Sequence, residues 1–159
     1  MLTLIWAQDE AGLIGAKGTL PWHVSADLKF FKEQTMGQTI LMGRTTFIGM
    51  GERLLPKRTT WLLTKDTHYQ VAGAKVFHSV EEVLQASLGQ DLIVTGGAKV
   101  YENFLPYADC LVQTVLAKKF SGDTYFPKVN WDDFQLVTQV PFTDAKSGIS
   151  GYFNTYHRK

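Results

Sequence analysis

The stretch LIVTGGAKVYENF, Leu92 to Phe104, decides the fold class. LIVT is a short apolar run of the kind that a strand buried on both faces requires, and AKVYENF reads as a helix. Gly96-Gly97 joins them with almost no loop, so a strand hands the chain directly to a helix. Bare backbone N–H groups and the helix dipole at such a junction can receive a pyrophosphate. Glycines there also serve as plain tight-turn residues, and the stretch alone leaves both readings open.

The same alternation continues on both sides. Leu2 to Gln8 reads as a buried strand opening into Asp9 to Leu20, a loop whose Gly12, Gly15 and Gly18 give it unusual conformational freedom. Ser25 can cap a helix that begins at Ala26. TILMGR, residues 39 to 44, is a second buried strand, followed by a short helix from Thr45 and a turn through Gly49 and Gly51. TTWLLT, residues 59 to 64, and KVFH, residues 75 to 78, are further strands. Ser79 and Glu82 form a capping box opening a helix with Val83, Leu84 and Leu88 as its apolar stripe. Beyond Phe104 come the strand CLVQTVLA, residues 110 to 117, and two longer strands, Phe134 to Val140 and Gly151 to Arg158. A polar turn with Asp144, Ser147 and Gly148 joins these two. Strands alternating with helices imply parallel pairing, and the last pair implies an antiparallel edge. With no repeat, linker or low-complexity segment, residues 1 to 159 read as one α/β domain.

Composition narrows the classes. Hydrophobic residues make up 45% and charged residues 19%, enough for a core and a cleft and against wholesale disorder. A net charge of +1 gives no electrostatic reason to expect nucleic acid or membrane binding. Cys110 is the single cysteine, which excludes an internal disulfide and a cysteine-rich zinc site and fits a reducing cytoplasm. The N-terminus has no basic region followed by a long apolar run, and no stretch reaches the roughly 18 apolar residues of a membrane span. A soluble, unexported protein is the expectation.

Candidate chemistry concentrates in LPWHVSADLKFFKEQT, Leu20 to Thr35. Helical spacing puts Asp27, Leu28 and Phe31 on one face, where the apolar pair should desolvate the acid and raise its pKa toward the range a proton-managing group needs. An aspartate that only complements the helix dipole is the plain alternative. Arg44, Thr45, Thr46, Thr64 and Lys65 gather cations and hydroxyls at the carboxyl ends of strands, where open α/β sheets bind ligands; each could also be a solvated loop residue. Arg58, between a proline turn and a strand, has the planar fork to grip a carboxylate, or is a surface charge. Other motifs fail. GQTILMGRT misses a P-loop by spacing and by Arg44 in place of Lys, Gly49-Met50-Gly51 lacks the third glycine of a dinucleotide fingerprint, and Ser150 lacks a nucleophile elbow. His23, His68, His78 and His157 form no ligand-spaced pair, so no metal site is expected.

Taken in order, IWAQDEAGLIG (residues 5 to 15), LPWHVSADLKFFK, ILMGRTTF, LLPKRTT, VTGGAKVYENFLP and GDTYFP resemble bacterial dihydrofolate reductase at near-identical spacing. The likeness runs from Leu2 to Arg158. It implies a central, mainly parallel eight-stranded sheet with an antiparallel C-terminal strand and four flanking helices. It also implies reduction of 7,8-dihydrofolate to tetrahydrofolate with NADPH, in support of one-carbon metabolism.

Carried over residue by residue, Asp27 pairs with the pterin's ring nitrogen and 2-amino group, Thr114 supports that carboxylate, Trp22 positions an ordered water, and Leu20 sits at the tip of a mobile loop. The carbonyls of Ile5 and Thr95 meet the pterin's other edge. Trp6, Ala7, Leu28, Phe31, Met50 and Leu55 line the substrate site, and Arg58 holds the glutamate α-carboxylate. On the cofactor side, Ala7, Ile14 and Gly15 cradle nicotinamide. Gly96, Gly97, Ala98, Lys99 and Val100 take the pyrophosphate, with Thr95 and Tyr101 beside them. Gly43, Arg44, Thr45, Thr46, Leu63, Thr64 and Lys65 take the adenosine half with its 2′-phosphate. Asp123, with Thr124, latches the closed loop. Thr95 stands where many bacterial members carry an aliphatic residue and Met50 is softer than the usual branched one, which bears on antifolate preference. The implied partners are dihydrofolate and antifolate inhibitors, and the implied state is a cytoplasmic monomer. A pyrimidinone reductase of riboflavin synthesis, on the same fold, should not need the Asp27 and Arg58 pairing, and a silent binder should not keep Asp27.

Overall fold

The computed structural model describes residues 1–159. The chain runs β1 (Leu2–Gln8), β2 (Leu13–Gly15), α1 (Ser25–Thr35), β3 (Thr39–Gly43), α2 (Arg44–Gly49), β4 (Thr59–Leu63), β5 (Ala74–Phe77), α3 (Val80–Ala86), β6 (Leu92–Val94), α4 (Ala98–Phe104), β7 (Cys110–Leu116), β8 (Thr124–Tyr125), β9 (Phe134–Thr143) and β10 (Ser150–Arg158). Eight strands form one sheet in the order β5-β4-β3-β6-β1-β7-β10-β9. Every pair from β5 to β7 is parallel, and β10 pairs antiparallel with both β7 and β9.

Parallel strands covered on both faces must be apolar at consecutive positions, and Ile40, Leu41 and Met42 of β3 are all buried. Successive residues feed different cores. Leu4 and Trp6 of β1 join Val83, Val100, Tyr101 and Phe104 from α3 and α4, whereas Ile5 joins Ile40, Phe47 and Leu62, with Phe30 and Phe31 of α1 packed against them. This division follows from handedness. The crossovers leaving β1 and β3 head toward one edge of the sheet and those leaving β5 and β6 return, so right-handed connections lay α1 and α2 on one face and α3 and α4 on the other. Where these directions diverge, a crevice opens at the carboxyl ends of the strands.

Several local expectations are corrected. The loop from Asp9 to Leu20 contains β2, whose partner β8 lies in GDTYFP; both are too short to announce themselves by pattern. Gly122 makes their approach possible, since a Cβ there would stand 2.5 Å from the Gly15 carbonyl oxygen. Helix α3 ends at Ala86, so Leu88 lies beyond it and is exposed while Val83 is buried. Ser79 does accept the Glu82 N–H at 3.1 Å. Strand β9 continues through Pro141 to Thr143 because it is the sheet's edge, where a missing N–H leaves no ladder bond unmade. Ser25 does not cap α1: Val24 is the N-cap and supplies no side-chain bond.

Candidate active site

Asp27 lies in the first turn of α1 and is 9% exposed. Burial drives its pKa from 3.8 up to about 6, and a hydrogen bond from the Thr114 hydroxyl partly offsets the rise. That shift corresponds to about 3 kcal/mol, which outweighs the roughly 0.3–1 kcal/mol by which a helix N-terminus favours a carboxylate. Desolvation, not the dipole, therefore sets the charge of this acid. Thr114 lies on β7, paired with Ala7 of β1. Leu28, the expected drying neighbour, is 47% exposed, so it shields the acid less than its spacing suggests.

The other substrate-side candidates are held as follows. The Trp22 ring is buried against Phe120 at 5.1 Å, and its Nε1 has no partner. Tyr101, at the other side, donates its hydroxyl to the Ile5 carbonyl at 2.6 Å and lies under Gly96. Thr95 is tied by both its N–H and its hydroxyl to the Leu41 carbonyl, at 2.8 and 3.2 Å. Trp6 turns its ring into the core, stacked on Phe126 at 3.6 Å, so only its backbone faces away from that packing. Phe31, Met50 and Leu55 are half-buried on the face that holds α1 and α2. Arg58 donates from Nη1 to the Thr35 hydroxyl at 3.1 Å and from Nε to the Pro56 carbonyl at 3.0 Å, which aims its fork while part of it stays free. Burial lowers its pKa, with no carboxylate nearby to hold it up. Leu20 is exposed but lies just past the loop's tip, which is the turn at Lys17 and Gly18 closed by the Ala16–Thr19 bridge.

The opposite half is built from backbone and cations. Gly43 donates to the Gly96 carbonyl at 2.9 Å and lies in register with Leu63, which brings the ends of β3, β4 and β6 together. A Cβ on Gly97 would stand 3.0 Å from the Thr46 hydroxyl, and one on Gly43 would stand 3.0 Å from Val100. The first turn of α4, Ala98, Lys99 and Val100, follows immediately, and Lys99 is exposed. Arg44 pairs with Asp66 at 3.1 Å, stacks its guanidinium 4.2 Å over Tyr69, and keeps a buried Nε without a partner. Thr45 and Lys65 are exposed, and Thr64 accepts the Asp66 N–H at 3.2 Å. Asp66 and Tyr69 sit in no strand and carry no motif, so the sequence does not mark them.

The segment between β1 and α1, with its partner around β8, carries the remaining candidates. Ile14 packs on the core and Gly15 pairs with Thr124. Asp123 accepts the Lys17 N–H at 3.2 and 3.3 Å and the Thr124 hydroxyl at 2.8 Å. Asp9, fully buried, accepts from the N–H groups of Ala11, Leu13 and Phe120 at 2.8 to 2.9 Å. The sequence gives no signal for Asp9 beyond its place at a strand end. No group of three or more metal-ligating side chains is present, and no helix is long and apolar enough to cross a membrane.

Known proteins share this architecture. The family model of dihydrofolate reductase matches residues 1–158. The dihydrofolate reductase of Lactococcus lactis subsp. lactis (strain IL1403) is 46% identical over 144 residues, covering 87% of this chain and 86% of the relative. That of Bacillus subtilis (strain 168) is 37% identical over 161 residues, covering 100% and 95%. The solved structure of dihydrofolate reductase from Enterococcus faecalis, complexed with NADP(H) and RAB-propyl, superposes with a TM-score of 0.95 at 45% identity, covering 100% of this chain and 96% of that one. A buried acid whose pKa is raised to about 6, a diglycine strand end and a match over essentially the whole length agree: the chain belongs to the dihydrofolate reductase family.

Proposed function

We propose that this chain reduces 7,8-dihydrofolate to 5,6,7,8-tetrahydrofolate with NADPH, and that Asp27 is its proton-managing acid. The observation that carries these roles is the one carboxylate whose pKa burial raises to about 6, in a chain whose nearby Trp22 keeps an unpartnered Nε1 five residues earlier. A group with that pKa holds or releases a proton across the physiological range, and it accepts the paired N–H donors of a pterin edge when ionised. The Trp22 N–H, with no protein acceptor, donates to a water that relays the proton taken up at pterin N5. Leu20 closes over that water and excludes bulk solvent. The carbonyls of Ile5 and Thr95 orient the pterin's other edge. Arg58 binds the glutamate α-carboxylate, with Phe31, Met50, Leu55 and Leu28 walling the aminobenzoyl group between.

The residues opposite fit NADPH. A Cβ on Gly43 or Gly97 would press on Val100 or Thr46, so both stretches stay bare backbone, and Arg44 has an unused buried donor. Gly96, Gly97 and the first turn of α4 suit a pyrophosphate, Ala7, Ile14 and Gly15 suit nicotinamide, and Arg44, Thr45, Thr46, Thr64 and Lys65 suit an adenosine 2′-phosphate. NADPH, when bound, supplies the hydride. The protein supplies position, dryness and one acid. Membership of the family supports action as a cytoplasmic monomer on dihydrofolate, open to antifolate inhibitors.

Mixing the protein with dihydrofolate and NADPH and following the near-ultraviolet nicotinamide band tests the reading. Steady loss of absorbance that needs both compounds is expected. Loss only with a ribosylated pyrimidinone, or none with either, refutes it in favour of the riboflavin-pathway reductase or a silent binder.

A further inference from the structure

We propose that Asp144, in the turn between β9 and β10, is a positioning residue for Asp27: by accepting the Ala26 N–H it fixes the first turn of α1 and so the seat of the acid. The inference rests on the role given to Asp27 above.

Helix starts leave backbone donors unsatisfied, and a nearby Ser, Thr, Asn or Asp ordinarily takes one of them. Helix α1 has no such local cap, since Val24 cannot provide it and Ser25 does not. Asp144 takes the role from 118 positions away, its Oδ1 lying 2.9 Å from the Ala26 nitrogen. Its other oxygen, Oδ2, is clasped by the Ser147 N–H at 2.9 Å and the Ser147 hydroxyl at 2.6 Å. The side chain is only 4% exposed. An aspartate that merely shaped its own turn would need only the Ser147 contacts; here one oxygen holds the turn and the other holds a different element. The residue it holds is the immediate neighbour of Asp27, so a slack first turn moves the acid itself and opens it to water.

The charges around both groups are few. Asp27 faces the Thr114 hydroxyl and the buried Tyr101 phenol, which burial and the Asp27 charge keep neutral. Asp144 faces His23, on the segment leading into α1, and the Ser147 and Ala26 bonds hold its carboxyl below the usual range. Asp144 is therefore ionised throughout the pH range in which Asp27 titrates.

The test compares Asp144→Ala, Asp144→Asn, Ser147→Ala and His23→Gln by kcat, KM for dihydrofolate, NADPH binding and the pH midpoint of kcat. Asp144→Ala should lower kcat at pH 7 by about tenfold, since an ångström of misplacement at a catalytic group can be worth up to about 10²-fold. NADPH binding should stay put. The pH midpoint should move down, because water admitted to Asp27 relieves the burial that raises it. Asp144→Asn keeps an oxygen for Ala26 and should restore most of kcat and the midpoint; Ser147→Ala should fall between. If Asp144→Ala does not fold, the last two variants decide, with the midpoint lowered in Ser147→Ala and near wild type in Asp144→Asn. The proposal is overturned if the folded variants lose only thermal stability, if Asn does no better than Ala, or if His23→Gln alone reproduces the shift. Asp27→Asn tests the acid separately, because it must lose turnover and its pH midpoint whatever Asp144 does.

Discussion

Asp27 and Asp9 are both buried aspartates, yet their acidities move in opposite directions. Asp9 is as well shielded from solvent, at 0% exposure against 9%, but Asp27 lies deeper among protein atoms, so burial weighs more heavily on it. Burial pushes both upward, but the N–H groups of Phe120, Leu13, Ala11 and Gly12 outweigh it at Asp9 and leave that carboxyl below its ordinary value. At Asp27 only the Thr114 hydroxyl answers burial, and the pKa reaches about 6. Burial alone therefore does not make a catalytic acid. A carboxylate saturated with backbone donors is a structural anchor, whereas one denied them is left poised to exchange a proton and with acceptor valence for a substrate.

The largest test of this contrast is Asp27→Asn. Turnover near pH 7 should fall by roughly 10²- to 10⁴-fold, the usual worth of a positioned acid, with the cofactor still bound and with partial recovery in acid, where solvent can protonate the substrate directly. Wild-type turnover in that variant would remove Asp27 from the mechanism.

The same substitution should raise stability. A raised carboxyl pKa in the folded state means that Asp27 favours folding below the unfolded value near 3.8 and loses that contribution as pH rises through about 6. At pH 8 the wild-type protein therefore holds a poorly solvated charge that Asn removes, a gain of up to about 3 kcal/mol. Denaturant titrations should show the gain shrinking through pH 6 and vanishing near pH 4. A loss of stability at pH 8 would mean that the carboxylate is better solvated than its burial implies.

Asp9→Asn should do the reverse. Exchanging one acceptor oxygen for a donor sets the new amide against the Phe120 or Leu13 N–H, and losing a charge-assisted bond of that kind costs about 1.5–3 kcal/mol. Because the folded pKa is depressed, the contribution of Asp9 is present above its unfolded value and fades as pH falls through the folded one. The deficit of the variant should accordingly be widest near neutrality and close in acid, with the pH midpoint of kcat unmoved. A shifted midpoint at unchanged stability would make Asp9 part of the proton chemistry instead.

The contrast also shows what the sequence could reveal. The strand-to-helix alternation was legible because buried parallel strands must be continuously apolar, as in TILMG of β3, and because glycines mark the turns between them. Asp27 was legible as a candidate, since helical spacing sets it beside Phe31. Its charge state was not, because burial and Thr114 come from strands distant in sequence. For the same reason Asp9 and Asp144 read as loop residues: what distinguishes them is whose N–H they accept, and the donors Phe120 and Ala26 lie 111 and 118 positions away. The β2–β8 ladder leaves no mark in the sequence, because three residues against two carry no periodicity. Local pattern encodes elements, while tertiary contacts decide which carboxylate does chemistry.

Asp123 supplies the smallest effect and the third environment, an exposed carboxylate. The Thr124 hydroxyl and the Lys17 N–H lower its pKa, so it stays ionised well into acid, as Asp9 does, but water competes for each of its bonds. Contacts of this kind on the surface contribute little to global stability, and Asp123→Ala should melt within about two degrees of wild type. Its bonds instead join the loop at Lys17 to the segment that carries β8, and Gly15, between them in the same ladder, is proposed to meet nicotinamide. Loosening that tie should let the loop open more often, lowering kcat by a few-fold through closure while leaving the pH midpoint set by Asp27 unchanged. Amide exchange at Lys17 should quicken in step with the fall in kcat. Unchanged exchange and unchanged kcat would show that the loop holds its place through Asp9 and the β2–β8 ladder alone, and that the exposed carboxylate is neither anchor nor catalyst.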